Sequence, residues 1–315
     1  MLRGLRRVGS LAAVLALAVA VAGCSQYAKL QAKQAFKEAN VLYAQQDYKR
    51  AAEMYEEAIA KDPSLSVAYF YLGNSYDNLF KPSRKGEAVN DEYLTKAIEY
   101  YKLAGEKEAD PTLRKRSFEF LVAAYGPDKL NDPSQQEPIV NHMIEIDPQD
   151  VTNYFALAKI REDSGDYEKA EEVLLRAKEA RPNDPQVYLQ LAGFYNRQEE
   201  FEKTIEALNQ RAAIEPNNPE AFYTISTYYW DKAYRDFRLK DAEKQGYVMK
   251  GIEQVDKALQ LKADYMEALT YKNLLLRLQA NLEKDPAKQS SLLKEADRLR
   301  DLAIDMKKTQ VAGLK

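Results

Sequence analysis

Residues 151–184 read VTNYFALAKIREDSGDYEKAEEVLLRAKEARPND, and residues 185–218 read PQVYLQLAGFYNRQEEFEKTIEALNQRAAIEPNN. Laid over each other, the two segments repeat with a period of 34 residues. Tyr154, Tyr188 and Phe222 fall at that interval, as do Leu157, Leu191 and Ile225, and Pro148, Pro182 and Pro216. A fixed period of this length means one supersecondary unit stacked into an array, each unit burying its apolar face against its neighbours. Tyr154, Leu157, Ala158 and the stem of Arg161 share one helical face. Small residues such as Ala158, Ala170 and Ala177 let two antiparallel helices approach closely. Gly165-Asp166 makes the turn between them. Pro182 and Pro216 stop the second helix, and Asn183-Asp184-Pro185 caps and starts the next. No period-two alternation of strands competes, so an all-α fold is expected.

The pattern extends in both directions. The unit at Ala32 keeps Ala39, Tyr48, Ala51, Tyr55, Ala58 and Pro63; the next, from Ser66, keeps Tyr69, Leu72-Gly73, Tyr76, Ala97, Tyr101 and Ala104. Weaker units start near Lys115, at Pro219 and at Met266. An aromatic, Leu-small, Tyr, Ala, a large apolar residue, Ala and a closing Pro, recurring in this order, resemble the tetratricopeptide repeat. Seven units are expected, near 32–65, 66–111, 112–150, 151–184, 185–218, 219–265 and 266–308. The resemblance implies an α-solenoid of about seven helix pairs, a right-handed superhelix with a C-terminal capping helix.

Two units are stretched. Tyr76 to Ala97 spans 21 residues and Tyr229 to Gly251 spans 22, against 9 from Arg161 to Ala170. The first insert, 81–92, holds loop-formers; the second, 231–247, keeps Ala233, Tyr234, Phe237 and Ala242 and looks like helix extension. From Pro286 onward, Leu292, Ala296, Leu299, Ala303 and Met306 make a narrow stripe. It suits a capping helix packed on Met266 to Leu278, with a dimer seam as the alternative.

The resemblance places a ligand groove on the first helix of each unit. Its lining is offset by one residue from the core face: Phe36, Asn40 and Tyr43; Phe70, Asn74 and Asp77; Phe155, Lys159 and Glu162; Leu189, Gly193 and Asn196; Tyr223, Thr227 and Trp230. An apolar column flanked by Asn, Asp and Lys suits an extended or helical peptide. Aromatic leading positions disfavour a carboxylate clamp of lysines and arginines.

The first 24 residues read as an address. Arg3, Arg6 and Arg7 precede an uncharged run, Leu11 to Val21, too short to span a bilayer. Val21-Ala22-Gly23-Cys24 resembles a bacterial lipobox. That implies a signal peptide over 1–23, lipidation of Cys24, a short tether at 24–31 and a repeat region over 32–315. By the same resemblance, Ser25 permits outer-membrane delivery, facing the periplasm. Cys24 is the only cysteine, so no internal disulfide is possible.

Composition excludes several functions. With 46 Lys and Arg against 49 Asp and Glu, the formal charge is −3, and no long basic run neutralises phosphates, so nucleic acid is not an expected partner. His142 is the only histidine, which leaves no thiolate–imidazole metal site and no Cys/His dyad. No phosphate loop, G-x-S-x-G elbow or H-E-x-x-H occurs. Catalysis, a cofactor and a metal are therefore not expected. The expected partners are proteins or peptides of the cell envelope, and the membrane through the lipid. A self-associating envelope component, or a glycan or small-molecule binder, is the alternative; the sequence leaves oligomeric state open.

Overall fold

The computed structural model describes residues 26–312. The signal-peptide and lipidation readings lie outside the described residues. Among those residues the chain is all-helical, with fourteen α-helices and no strand, in agreement with the expected fold class. They are α1 (26–44), α2 (Tyr48–Lys61), α3 (Ser66–Leu79), α4 (Ala88–Lys107), α5 (Pro111–Ala124), α6 (Pro133–Ile146), α7 (Val151–Asp163), α8 (Tyr167–Ala180), α9 (Pro185–Arg197), α10 (Phe201–Ile214), α11 (Pro219–Arg235), α12 (Asp241–Leu261), α13 (Met266–Leu282) and α14 (Pro286–Ala312). Residues 26–31, read as tether, are helical and continue α1. They hold good helix formers with neither Gly nor Pro.

Local chemistry sets the boundaries. Asp110, Asp184 and Asn218 accept hydrogen bonds from Thr112, Gln186 and Glu220 N–H at 2.8–3.0 Å, each followed by a proline at the first helical position. The side-chain oxygen satisfies an orphan donor, and proline presets φ where its missing N–H costs nothing. Between paired helices the chain reverses through the left-handed region. Gly165 (φ 79°), Glu199 (φ 60°) and Gln46 (φ 62°) occupy that place in three repeats. Behind the last two, Glu200 N–H reaches Tyr195 O at 2.9 Å and Asp47 N–H reaches Leu42 O at 3.0 Å, which ties off the helix ends.

The chain divides into two compact units at Ser164/Gly165. In the first, successive helices from α2 to α7 pack on one another, and α3 also touches α5. Its core joins Ala39, Leu42, Tyr55, Leu72, Tyr76, Ala97, Tyr101, Ala104 and Leu121. The repeat's small positions do what close packing requires: a Cβ on Gly73 would come within 2.9 Å of the Tyr101 ring. In the second unit successive helices from α8 to α14 pack likewise, and α11 touches α13. Val248, Val255, Ala258, Ala268 and Leu275 form one core cluster. Ala296, Leu299 and Ala303 of α14 bury against Leu269 and Leu276 of α13, as a capping helix does.

The inserts differ from each other. The first is a 3₁₀ turn, Pro82–Arg84, followed by a lengthened α4 of 20 residues. Buried Asn90 pins it, accepting from Lys81 N–H at 2.8 Å and donating to Lys81 O at 3.1 Å. The second lengthens both helices, α11 to 17 residues and α12 to 21, around a short loop. Asp236 holds that loop, accepting from Arg238 N–H at 3.1 Å and from Lys232 Nζ at 2.9 Å. Arg238 foremost, then Lys232, keeps the Asp236 carboxyl well below the usual carboxylate range.

Candidate functional site

Within the first unit, α1 and α3 carry six of the predicted groove residues. Phe36 and Tyr43 are half-buried and Asn40 is exposed, while Phe70 and Asn74 are buried in the core. Phe70 is thus corrected from groove lining to core. Its ring centroid lies 5.3 Å from Tyr71, 6.1 Å from Tyr101 and 5.7 Å from Phe120, rings brought from α3, α4 and α5. Asn74 is satisfied internally: it accepts from the Tyr43 hydroxyl and donates to the Tyr101 hydroxyl at 3.2 Å. Tyr101 in turn lies 3.3 Å from Asp77 Oδ2, and Lys129 pairs with the other Asp77 oxygen. Burial, then the Asp77 charge, pushes the Tyr101 hydroxyl far above its ordinary pKa. These polar groups hold helices together and leave few lone pairs for a ligand. Tyr71, absent from the predicted lining, centres the cluster, with Phe36 at 6.4 Å and Tyr43 at 5.6 Å. On α7, Phe155 and Glu162 are half-buried and Lys159, exposed, pairs with Asp163.

The second unit is more open. Leu189 and Gly193 on α9 are half-buried and Asn196 is exposed. On α11, Tyr223, Thr227 and Trp230 are half-buried, and the Thr227 hydroxyl donates to Thr224 O at 2.7 Å. Tyr223 and Trp230 belong to a ladder of aromatic rings. Tyr265 lies 5.2 Å from Tyr223, Tyr223 lies 5.4 Å from Tyr271, Tyr271 lies 5.6 Å from Trp230, and Trp230 stacks on Tyr234 at 4.9 Å. Burial, then Tyr271 and Tyr265, pushes the Tyr223 hydroxyl up to about 12. The predicted lining omits Tyr265, Tyr271 and Tyr234, the last of them noted only as part of the second insert. The spacing of Tyr223, Trp230 and Tyr234, seven and four residues apart on one helix, was the available signal for the last.

Tyr223 and Tyr271 open onto a cleft of about 290 Å³ between α11, α13 and α14, which Met266, Thr270, Arg300 and Lys307 also line. A second cleft, about 510 Å³, sits at the α11–α12 loop beside Phe201 and Tyr228, where Phe237 is 88% exposed. A third, about 400 Å³, lies in the first unit, lined by Arg114, Lys115, Phe118, Met143 and Asn153. His142 is 55% exposed and meets the Phe118 ring edge-on at 5.4 Å. Among the described residues no cluster of His, Cys, Asp and Glu could hold a metal ion, and no helix is long and apolar enough to cross a membrane.

Comparison with known proteins agrees with this architecture. Tetratricopeptide-repeat family models match residues 36–111 and 151–194. The C-terminal part of a TPR repeat-containing protein from Cytophaga hutchinsonii superposes with a TM-score of 0.53 at 18% identity, over 86% of this chain and 98% of that one. A tetratricopeptide repeat protein from Parabacteroides merdae gives 0.44 at 13% identity, over 85% and 99%. MamA from Desulfovibrio magneticus gives 0.40 at 15% identity, over 68% and 96%. No curated protein matches the chain. Residues 36–111 and 151–194 are tetratricopeptide repeats, modules that generally serve as protein-interaction scaffolds and are typically non-catalytic.

Proposed function

We propose that this chain is an adaptor of the bacterial cell envelope that captures a protein partner by a peptide segment. It is held by lipid on Cys24 at the periplasmic face of the outer membrane. The observation that carries the binding part is the ladder Tyr265–Tyr223–Tyr271–Trp230–Tyr234, five rings in sequence, four on α11 and α13 and one, Tyr265, at the N-cap of α13. Half-exposed Tyr and Trp supply much apolar contact area with few torsions to freeze, and they dominate measured binding energies. The anchor rests on the charged start, the apolar run and Val21-Ala22-Gly23-Cys24. Two or three acyl chains bind a bilayer far more firmly than one.

Two experiments test the two parts separately. In-cell crosslinking followed by partner identification should recover a partner with the native chain. It should fail with Tyr223→Ala/Tyr234→Ala, provided circular dichroism shows that variant folded. Undiminished capture by that variant would remove the ladder from the account. Cys24→Ser should move the chain out of the membrane fraction; unchanged fractionation would remove the lipid.

A further inference from the structure

Helix α1 has an outer face that the repeat core does not use. Its inner face buries Ala32, Ala35, Ala39 and Leu42. On the other side Tyr27 is 63% exposed, Leu30 56% and Val41 51%. At about 100° of turn per residue, these three fall within a sector about 60° wide. Lys29, Lys33 and Lys37, each four residues from the next and all exposed, form the adjoining column. Among the described residues none of these lysines closes an ion pair. From Ser25 to Lys37 the chain has no acidic residue. Asp62 stands near Lys29 and Lys33, but it accepts the Ser64 hydroxyl at 2.5 Å, and Glu38 flanks the face from the far side of Tyr27.

We propose that this face of α1 lies on the bilayer surface, with Tyr27, Leu30 and Val41 sunk between anionic headgroups and the lysines paired with their phosphates. The inference rests on the lipid at Cys24 and adds a second, protein-made contact beside it. Cys24 is two residues before Gln26, where the described helix begins, so at most about 7 Å of chain separates the acylated sulfur from the first turn. Residues 26–31 are helical, so no flexible spacer lifts α1 away from the lipid.

Two physical terms favour the contact. Large apolar side chains that would stay in water are transferred to the boundary between headgroups and acyl chains. Each lysine near an anionic surface gains Coulomb energy, and its long stem can lie along neighbouring apolar groups while the ammonium stays among headgroups. Neither term alone holds a protein at a bilayer. The acyl chains already confine α1 to that surface, so the weak contact becomes an intramolecular one with a high effective concentration.

The lipidated chain in vesicles tests this. Gln34→Cys, exposed on the same face and the only free thiol once Cys24 is acylated, carries a fluorophore. In phosphatidylcholine vesicles containing phosphatidylglycerol, lipids spin-labelled high on the acyl chain should quench it. Vesicles of phosphatidylcholine alone should quench it less. Lys29→Gln and Lys33→Gln should each lower the ratio of docked to free probe about fivefold. Tyr27→Ser/Leu30→Ser should lower it as well, and circular dichroism should show each variant folded. A chain that floats with the vesicles while its probe stays unquenched would overturn the docked face and leave the anchor standing. Quenching indifferent to both sets of substitutions would overturn the roles given to these side chains. A probe shielded from aqueous iodide yet unquenched by the labelled lipids would mean that a protein covers the face, and would overturn the proposal. A chain that fails to float would remove the anchor and this contact together, an outcome read from flotation and not from the probe.

Discussion

Tyr195 on α9 donates its hydroxyl proton to Glu171 Oε1 on α8 at 2.9 Å, and Lys203 on α10 lies 3.1 Å from that same oxygen. The Lys203 ammonium also stands 5.0 Å over the Tyr195 ring. One carboxylate thus joins three successive helices. The first unit repeats the arrangement: Tyr76 donates to Glu56 at 2.6 Å, with Lys96 4.9 Å over the ring. The repeat's central tyrosine is therefore both a core ring and a polar clasp to the preceding unit.

Glu171→Ala should lower stability by about 1–2 kcal/mol, because it leaves a largely buried hydroxyl without an acceptor. Tyr195→Phe should cost about 1 kcal/mol, since ring packing survives and only one hydrogen bond goes. Lys203→Ala should cost less than either, its side chain being 46% exposed. Urea unfolding midpoints, at unchanged slope, check the order; a Lys203 effect larger than that of Glu171 would refute the clasp.

The left-handed turn gives a prediction of opposite sign at two equivalent sites. Glu199 sits at φ 60° where Gly165 sits at φ 79°. A side chain in that region costs about 1–2 kcal/mol, partly offset by the extra freedom glycine has when unfolded. Glu199→Gly should therefore stabilise by about 0.5–1 kcal/mol, and Gly165→Ala should destabilise by about 1 kcal/mol. Open space surrounds the Gly165 Cβ position, so a loss there would report backbone strain and not a clash. Thermal unfolding of the two variants decides it.

These turns show which parts of the molecule were readable beforehand. Asp184-Pro185 and Asn218-Pro219 announce helix starts because capping and the fixed proline φ act over three residues. The small position at Gly73 announces a helix contact because nothing larger fits. The site was less legible. Phe70 and Tyr223 hold the same repeat position, yet one is core and the other half-exposed. Tyr101 and Phe120 cover Phe70 from other helices, and periodicity within α3 carries no record of them. Tyr271 was missed for the converse reason: only the packing of α13 on α11 turns it between Tyr223 and Trp230.

Alkaline titration should separate two classes among the 22 tyrosines. Burial, followed by hydrogen bonds or neighbouring charges, raises Tyr55, Tyr76, Tyr101 and Tyr195 well above their ordinary value of 10.0. Burial foremost, then the Glu56 charge, pushes Tyr100 up to about 12. A raised native pKa means the unfolded chain releases the proton more readily. The contribution is thus complete below pH 10 and is lost as pH rises toward and past the native values. Tyrosinate absorbance should rise first for exposed side chains near pH ~10. A second rise should coincide with loss of helical circular dichroism. A single smooth titration with helix intact would contradict the buried assignments.

Phe70 and Tyr234 make the sharpest paired test of what each aromatic does. Phe70 is 5% exposed among three rings, so Phe70→Ala opens a cavity and should cost about 3–5 kcal/mol. Tyr234 is 61% exposed and touches the Trp230 ring face to face, so Tyr234→Ala should change stability by less than about 1 kcal/mol. Partner capture should respond in the opposite order under conditions where both variants are folded. Phe70→Ala lies in the other compact unit and should leave capture by the α11–α13 ladder unchanged, while Tyr234→Ala should reduce it. Denaturant melts and the crosslinking yield, measured on the same two variants, check both halves. If Phe70→Ala abolished capture while remaining folded, the first unit would have to carry binding, and the ladder would lose its claim to be the principal face.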